Sequence, residues 1–258
     1  MDKVAAIIQA RYGATRLPGK VLLKVLDKTI LEYVIERVKK ARTIKQVIIA
    51  TTIKRNDRKI VNLLDKVGIS VYRGSENDVL DRFYQAAQLF KIKHIVRITA
   101  DCPLIDPKII DKIVDRYFKS KTDYCANTLE ETFPDGEDVE VFSFSALSLA
   151  WKNARLLSER EHVTPYIRNH PEMFKILNVR NRTNLHEKRW TLDRGEDFKF
   201  IKSVLENLYP VNPDFSMQDV LKYLKDNASI EKINRDIIRN EGYLKSLKED
   251  KVVSLGKF

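Results

Sequence analysis

Cysteine is scarce in this chain, with only Cys102 and Cys125 among 258 residues. Two cysteines without metal-type spacing supply neither a disulfide framework nor a thiolate metal site, so reduced thiols in a cytoplasmic protein are expected. Long apolar runs are missing too. No stretch approaches a membrane span, and Met1-Asp2-Lys3 open without the basic and apolar regions of a secretory leader. Low-complexity linkers, internal repeats, a basic tail and an aromatic-interleaved RNA motif are likewise absent. The net charge of +11 is spread along the chain with acids interspersed, which describes a solvated Lys-rich surface better than a nucleic-acid interface. Neither a membrane nor a nucleic acid is therefore the expected partner, although a positive field also suits a cleft for an anionic ligand. What is present is ordinary for a globular protein: 43% hydrophobic and 32% charged residues, long enough to bury a substantial core.

The most informative stretch is Val4 to Lys20, VAAIIQARYGATRLPGK. Val4, Ala5, Ala6, Ile7 and Ile8 have the length of a buried parallel strand. The strand runs into a loop carrying Arg11, Arg16 and Lys20 around Gly13, Pro18 and Gly19. Glycines let backbone N–H groups approach an anion, and three cations neutralise one, as a nucleoside triphosphate requires. A Walker A loop is excluded, because five residues separate Gly13 from Gly19 and Lys20 is followed by Val21. The plainer alternative is a basic turn between strand and helix.

Apolar runs near 4–8, 47–50, 69–72 and 94–98 alternate with amphipathic patterns in the first half. Ile30, Leu31, Val34, Ile35 and Val38 mark one helix; Ile60, Leu63, Leu64 and Val67 mark the next, after an Asn56 or Asp57 cap. A third runs from about Asn77 to Phe90. Repeated strand–helix units predict an α/β fold, a mostly parallel sheet flanked by helices, with a ligand cleft at the strand C-terminal ends. Beyond Asp123 the pattern predicts a strand at Val139–Phe142 after the Pro134-Asp135-Gly136 turn, helices at 145–153 and 159–169, a strand from Phe174 to Val179, and a helical tail over 216–258.

Asp101 follows the apolar strand Ile95–Ile98, with Thr99 and Ala100 between. A carboxylate at that end can hold Mg²⁺, while an Asx turn before Pro103 is the compatible alternative. One carboxylate rarely suffices, and Trp190-Thr191-Leu192-Asp193 repeats the pattern of apolar strand then Asp. Glu196 and Asp197 beside it read as caps of the following helix. Asp138 and Glu140, at i and i+2, would share one strand face. Arg73 ends the third strand, and Arg82 either enters the cleft or pairs with Asp78 four residues away. Glu161 and His162 lie in a helical segment where the imidazole serves as proton donor, acceptor contact or core residue. Cys102, ahead of Pro103, has no cue for a depressed pKa and is not expected to be a nucleophile.

QARYGATRLPGK resembles the RxGSxRLxGK-type signature of the sugar-acid cytidylyltransferases, and most closely the spore-coat polysaccharide protein F branch. ITADCP, FPDGEDVEVFS, EREHVTPYIRNHP, RWTLDRGEDF and RNEGYLKSL add matches in order along nearly the whole chain. The resemblance implies one glycosyltransferase-A-like nucleotidyltransferase domain over 1–258, with an acceptor and dimerisation segment near 133–180 and a homodimer. It implies transfer of CMP from CTP to an anionic sugar-like acceptor, with pyrophosphate released. Arg11, Arg16 and Lys20, with Gly13 and Thr15, would hold the phosphates. Asp101 and Asp193 would hold Mg²⁺, and Lys20, Arg11 and Asp101 would carry catalysis. Gln9, Ala10, Arg73, Arg82 and Thr99 would contact the rest of the nucleotide. Asp138, Glu140, Glu161 and His162 would face the acceptor. Thr99-Ala100-Asp101 departs from the Gln-Gly-Asp of the octulosonate enzymes, which weakens any transfer of their sugar contacts. Two other readings remain: a glycosyltransferase using a ready-made sugar nucleotide, although Asp138-Val139-Glu140 only loosely resembles its DxD motif, and a basic nucleic-acid-binding protein.

Overall fold

The computed structural model describes residues 3–253, so Met1-Asp2 and the end of the expected tail, 254–258, lie outside the described residues. Nine strands are present among the described residues: β1 (Val4–Gln9), β2 (Lys24–Val25), β3 (Lys28–Thr29), β4 (Gln46–Thr52), β5 (Ser70–Gly74), β6 (His94–Thr99), β7 (Tyr124–Ala126), β8 (Glu140–Ser143) and β9 (Ile176–Asn178). The β2–β3 pair is a small hairpin; the other seven form one sheet in the order β5-β4-β1-β6-β8-β7-β9. Only β8 runs against its neighbours, so the sheet is mostly parallel, as expected.

The helices are α1 (Ile30–Lys40), α2 (Arg58–Lys66), α3 (Val79–Leu89), α4 (Pro107–Ser120), α5 (Phe144–Asn153), α6 (Leu157–His162), α7 (Pro165–Asn169), α8 (Gly195–Leu208), α9 (Met217–Asp226), α10 (Ala228–Glu231) and α11 (Glu241–Lys248). None of them is long and apolar enough to cross a membrane. Period-2 alternation sends Ala6 and Ile8 of β1 into one core and Ala5 and Ile7 into another. The first core is covered by α1, α2, α4, α8 and α9, the second by α3, α5 and α7. Burial on both faces is why β1 reads as a continuous apolar run.

Local chemistry explains where elements begin. Thr29 and Glu32 form a reciprocal cap on α1: Thr29 Oγ1 accepts from the Glu32 N–H, and the Glu32 carboxylate accepts from the Thr29 N–H at 2.7 Å. Three expectations need correction. Asp57 precedes α2 but does not cap it; its carboxylate accepts instead from the Tyr12 N–H at 2.6 Å and from the Thr52 hydroxyl. The helix expected over 159–169 is split, because Val163 has φ 73° and the Thr164 N–H bonds the His162 carbonyl at 2.9 Å. Trp190–Leu192 is buried but is not a strand; an isolated bridge between Asp135 and Arg189 holds its start. Gly136, at φ 110°, permits that approach, since a Cβ there would lie 2.8 Å from the Trp190 carbonyl carbon.

Candidate active site

The register aligns Gln9 of β1 with Ala50 of β4 and Thr99 of β6, so adjacent parallel strands end together at one sheet edge. The loop after β1 leaves that edge and is folded on itself by Tyr12, whose carbonyl accepts from the Ala14 N–H at 2.9 Å and the Gly19 N–H at 2.7 Å. Gly19 has φ 74° and its Cα faces the Tyr12 ring. Lys20 follows directly and is buried.

Lys20 carries the centre of the site. Its ammonium donates to Asp101 Oδ2 at 2.6 Å and to Asp193 Oδ1 at 2.7 Å. Burial alone would lower the Lys20 pKa, but the two carboxylates outweigh it and hold the group above its ordinary value. Burial would likewise raise Asp193; Lys20 and then Arg16 reverse the effect and hold it at about 2. Asp101 stands just past β6, and the Leu192 N–H bonds the Asp101 carbonyl at 2.9 Å, which brings Asp193 alongside. Asp197 completes the bracket: it is fully buried and accepts from the N–H groups of Asp193 and Arg194, both at 2.9 Å. It thus caps the start of α8, as its position predicts.

Two chambers meet at this Lys–Asp cluster. The larger, about 900 Å³, is lined by Gln9, Ala10, Arg11, Thr15, Arg16, Lys20, Arg82 and Thr99, all expected on the nucleotide side. Arg11 forms no ion pair among the described residues, and Arg82 is buried with its Nε unpartnered. Burial and then the nearby Arg11 lower Arg82 to about 10, against the opposing pull of Asp57, Glu76 and Asp78, so Arg11 and Arg82 add positive charge to this wall. Arg82 does not pair with Asp78; it donates to the Ser75 carbonyl at 2.8 Å, while Asp78 is taken by Arg160. Two expected residues stay outside the chambers. Arg73 is spent on the carbonyls of Thr52 and Lys54, at 3.1 and 3.2 Å. Gly13 is exposed beside Glu76 and lines neither chamber.

The smaller chamber, about 430 Å³, is lined by Asp138, Glu140 and His162, with Asp101 and Asp193 at the shared wall. Asp138 precedes β8 rather than lying in it, and Arg239 holds it at 2.8 Å. Glu140 pairs with Arg97 and accepts from the Tyr124 hydroxyl at 2.7 Å. Burial pushes Asp138 up to about 6 and His162 down to about 4, so the imidazole is neutral near pH 7. His162 touches both chambers, whereas Glu161 lines only the larger one and accepts from Ser246 Oγ at 2.9 Å. The structure therefore does not bring Glu161 into the smaller chamber with Asp138 and Glu140.

Several lining residues are not among the site candidates named from the sequence. Arg189 is buried and joins Asp135, Asp193 and Asp197 through contacts of 2.9, 3.4 and 2.9 Å. Its spacing of four and eight residues from Asp193 and Asp197 was the available signal. Glu241, Gly242, Lys245 and Ser246 of α11 roof the larger chamber, a placement that nothing local in the tail encodes.

A family model described as Cytidylyltransferase matches residues 5–230. An uncharacterized protein of Methanocaldococcus jannaschii is 41% identical over 243 residues, 93% of this chain and 98% of its own length. The spore coat polysaccharide biosynthesis protein SpsF of Bacillus subtilis is 33% identical over 88% of this chain and 96% of its own. Among solved structures, a cytidylyltransferase from Leptospira borgpetersenii matches with TM-score 0.85 and 38% identity, covering 90% of this chain and 98% of that one. A CMP:2-keto-3-deoxy-manno-octonic acid synthetase complexed with CTP shares the fold at TM-score 0.59 and 15% identity, covering 80% of this chain and 99% of that one. The family match across most of the chain and the site at the parallel-strand ends agree: this chain belongs to the cytidylyltransferase family and is a nucleotidyltransferase.

Proposed function

We propose that the protein transfers CMP from CTP to an anionic sugar-like acceptor, in the synthesis of a surface polysaccharide or glycoconjugate, and that it works as a homodimer. The observation that carries the reading is the buried Lys20 ammonium bound by both Asp101 and Asp193 where the two chambers meet. One chamber offers Arg11, Arg16 and Lys20 to a triphosphate, and the other offers polar groups to a second substrate. The similarity to SpsF, a spore coat polysaccharide biosynthesis protein, supports the pathway class.

An acceptor hydroxyl oxygen attacks the α-phosphorus and gives up its proton to solvent, the bond from that phosphorus to the bridging oxygen breaks, and pyrophosphate leaves with that bond's electron pair. Such a transfer needs alignment and charge neutralisation more than covalent help. Arg11, Arg16 and Lys20 hold the β- and γ-phosphates and stabilise the leaving charge. The donor set suits Mg²⁺: two oxygen-bearing carboxylates already converge on one cationic nitrogen. Mg²⁺ commonly takes one or two carboxylates and fills its remaining positions with water and phosphate oxygens. Asp101 and Asp193 would hold the ion, which when bound supplies Lewis-acid polarisation of the phosphoryl oxygens.

The test is pyrophosphate release from the four nucleoside triphosphates, with Mg²⁺ and a panel of sugar acids. Release with CTP alone is expected, and Asp101→Ala is expected to slow it by about 10²–10³-fold. Absence of release from every triphosphate overturns the reading; near-wild-type turnover of the variant overturns the role of Asp101.

A further inference from the structure

The larger chamber contains an anion of its own. Glu241, the first residue of α11, is gripped by two arginines from different loops: Arg194 Nη2 donates to both its carboxylate oxygens, at 2.8 and 2.9 Å, and Arg16 Nη1 stands at 3.4 Å. All three side chains line the same chamber as Arg11 and Lys20. Arg16 also reaches Asp193 at 3.0 Å, so Glu241 sits beside the Lys–Asp cluster. A carboxylate shared by a fork of two guanidinium groups occupies the geometry that a phosphate oxygen pair takes.

We infer that Arg194 is a phosphate-binding residue of this site and that Glu241 is its internal stand-in, displaced when the pyrophosphate portion of the substrate enters. This rests on the reading that the Arg16 loop grips phosphates.

Displacement is cheap. Arg16, Arg194 and Glu241 are 35, 42 and 42% exposed, the range in which an ion pair adds little stability. A phosphate oxygen carries more charge than the carboxylate and meets Arg11 and Lys20 as well. The helix that carries Glu241 is anchored independently at its far end. Asp250 accepts from the Ser158 N–H and hydroxyl at 3.0 and 2.7 Å, the Leu157 N–H bonds the Lys251 carbonyl, and the Val253 N–H bonds the Arg155 carbonyl. Glu241 can therefore leave the arginines while the rest of α11 keeps its seat.

The experiment is calorimetric titration of inorganic pyrophosphate into the full-length protein and three variants. Arg194→Ala is expected to weaken binding about tenfold, the loss of one charge-assisted contact. Glu241→Gln is expected to tighten it about two- to fivefold, because an exposed competing ion pair is removed. Glu196→Gln removes the same charge from the same chamber, at a residue with no ion pair among the described residues, and is expected to leave affinity near wild type. Unchanged affinity in Arg194→Ala, weaker binding in Glu241→Gln, or equal tightening in both glutamine variants overturns the inference alone. Failure of pyrophosphate to bind the wild-type protein overturns the phosphate-gripping loop as well.

Discussion

The Lys20 ammonium lies 2.6 Å from Asp101 Oδ2, a contact between residues 81 apart in the chain. Asp193 answers the same nitrogen from the other side at 2.7 Å. Lys20→Met is expected to lower turnover by about 10²–10³-fold, the scale for losing one preorganised electrostatic group. It should also reduce stability, since two partly buried carboxylates lose their shared cation. Steady-state pyrophosphate release and urea unfolding measure the two effects, and a variant that keeps full turnover would rule out the proposed role.

Arg189 predicts a large stability effect. It is 5% exposed at its side chain and is the common partner of Asp135, Asp193 and Asp197, with Asp197 fully buried. Arg189→Met leaves Asp135 and Asp197 without their cation, while Asp193 keeps Lys20 and Arg16, and is expected to cost about 3–5 kcal/mol. Equilibrium denaturation is the measurement; a loss within about 0.5 kcal/mol, the range of an ordinary surface change, would contradict it.

Gly19→Ala tests the turn that delivers Lys20. The position has φ 74°, and an added Cβ would stand 2.9 Å from the Tyr12 ring. Left-handed backbone costs a residue with a Cβ roughly 1–2 kcal/mol. The expected outcome is a lower melting temperature together with reduced turnover, because the same turn places the ammonium. Wild-type behaviour in both would show that the loop has room to adjust.

His162 predicts a pH dependence. Burial holds its folded-state pKa near 4, below the ordinary 6.5, while Glu161 opposes the shift and Arg97 and Arg168 reinforce it. The unfolded chain therefore binds the extra proton between those values, so this group's contribution is full above about pH 6.5 and is lost as pH falls towards 4. Its size is at most on the order of 3 kcal/mol. Asp135 and Asp138, raised by burial to about 7 and 6, act with the opposite sign and flatten the wild-type profile. The stability difference between wild type and His162→Gln isolates the imidazole: it should shrink from pH 7 to pH 4. A difference that stays constant would exclude the shift.

Apolar periodicity alone determined the alternation of strands and helices through β6, because strands buried on both faces and helices buried on one leave unmistakable patterns. Asp101 was legible for the same reason: a carboxylate directly after a buried parallel strand stands at the ligand edge. The dense cations of Arg11, Arg16 and Lys20 marked the facing loop. Tertiary structure alone decided which of the nominated side chains meet. Arg73 shares the strand-end position that marked it, yet neighbouring carbonyls of β4 and its exit capture it. Asp57 has the composition of a helix cap, yet a backbone N–H 45 residues away claims its carboxylate. Glu241 and Ser246 roof the larger chamber only because α11 packs across α6, and no local pattern encodes the packing of a polar helix. Sequence spacing records which face a residue occupies on its own element, whereas hydrogen-bond partners and ion pairs depend on distances set by all the elements at once.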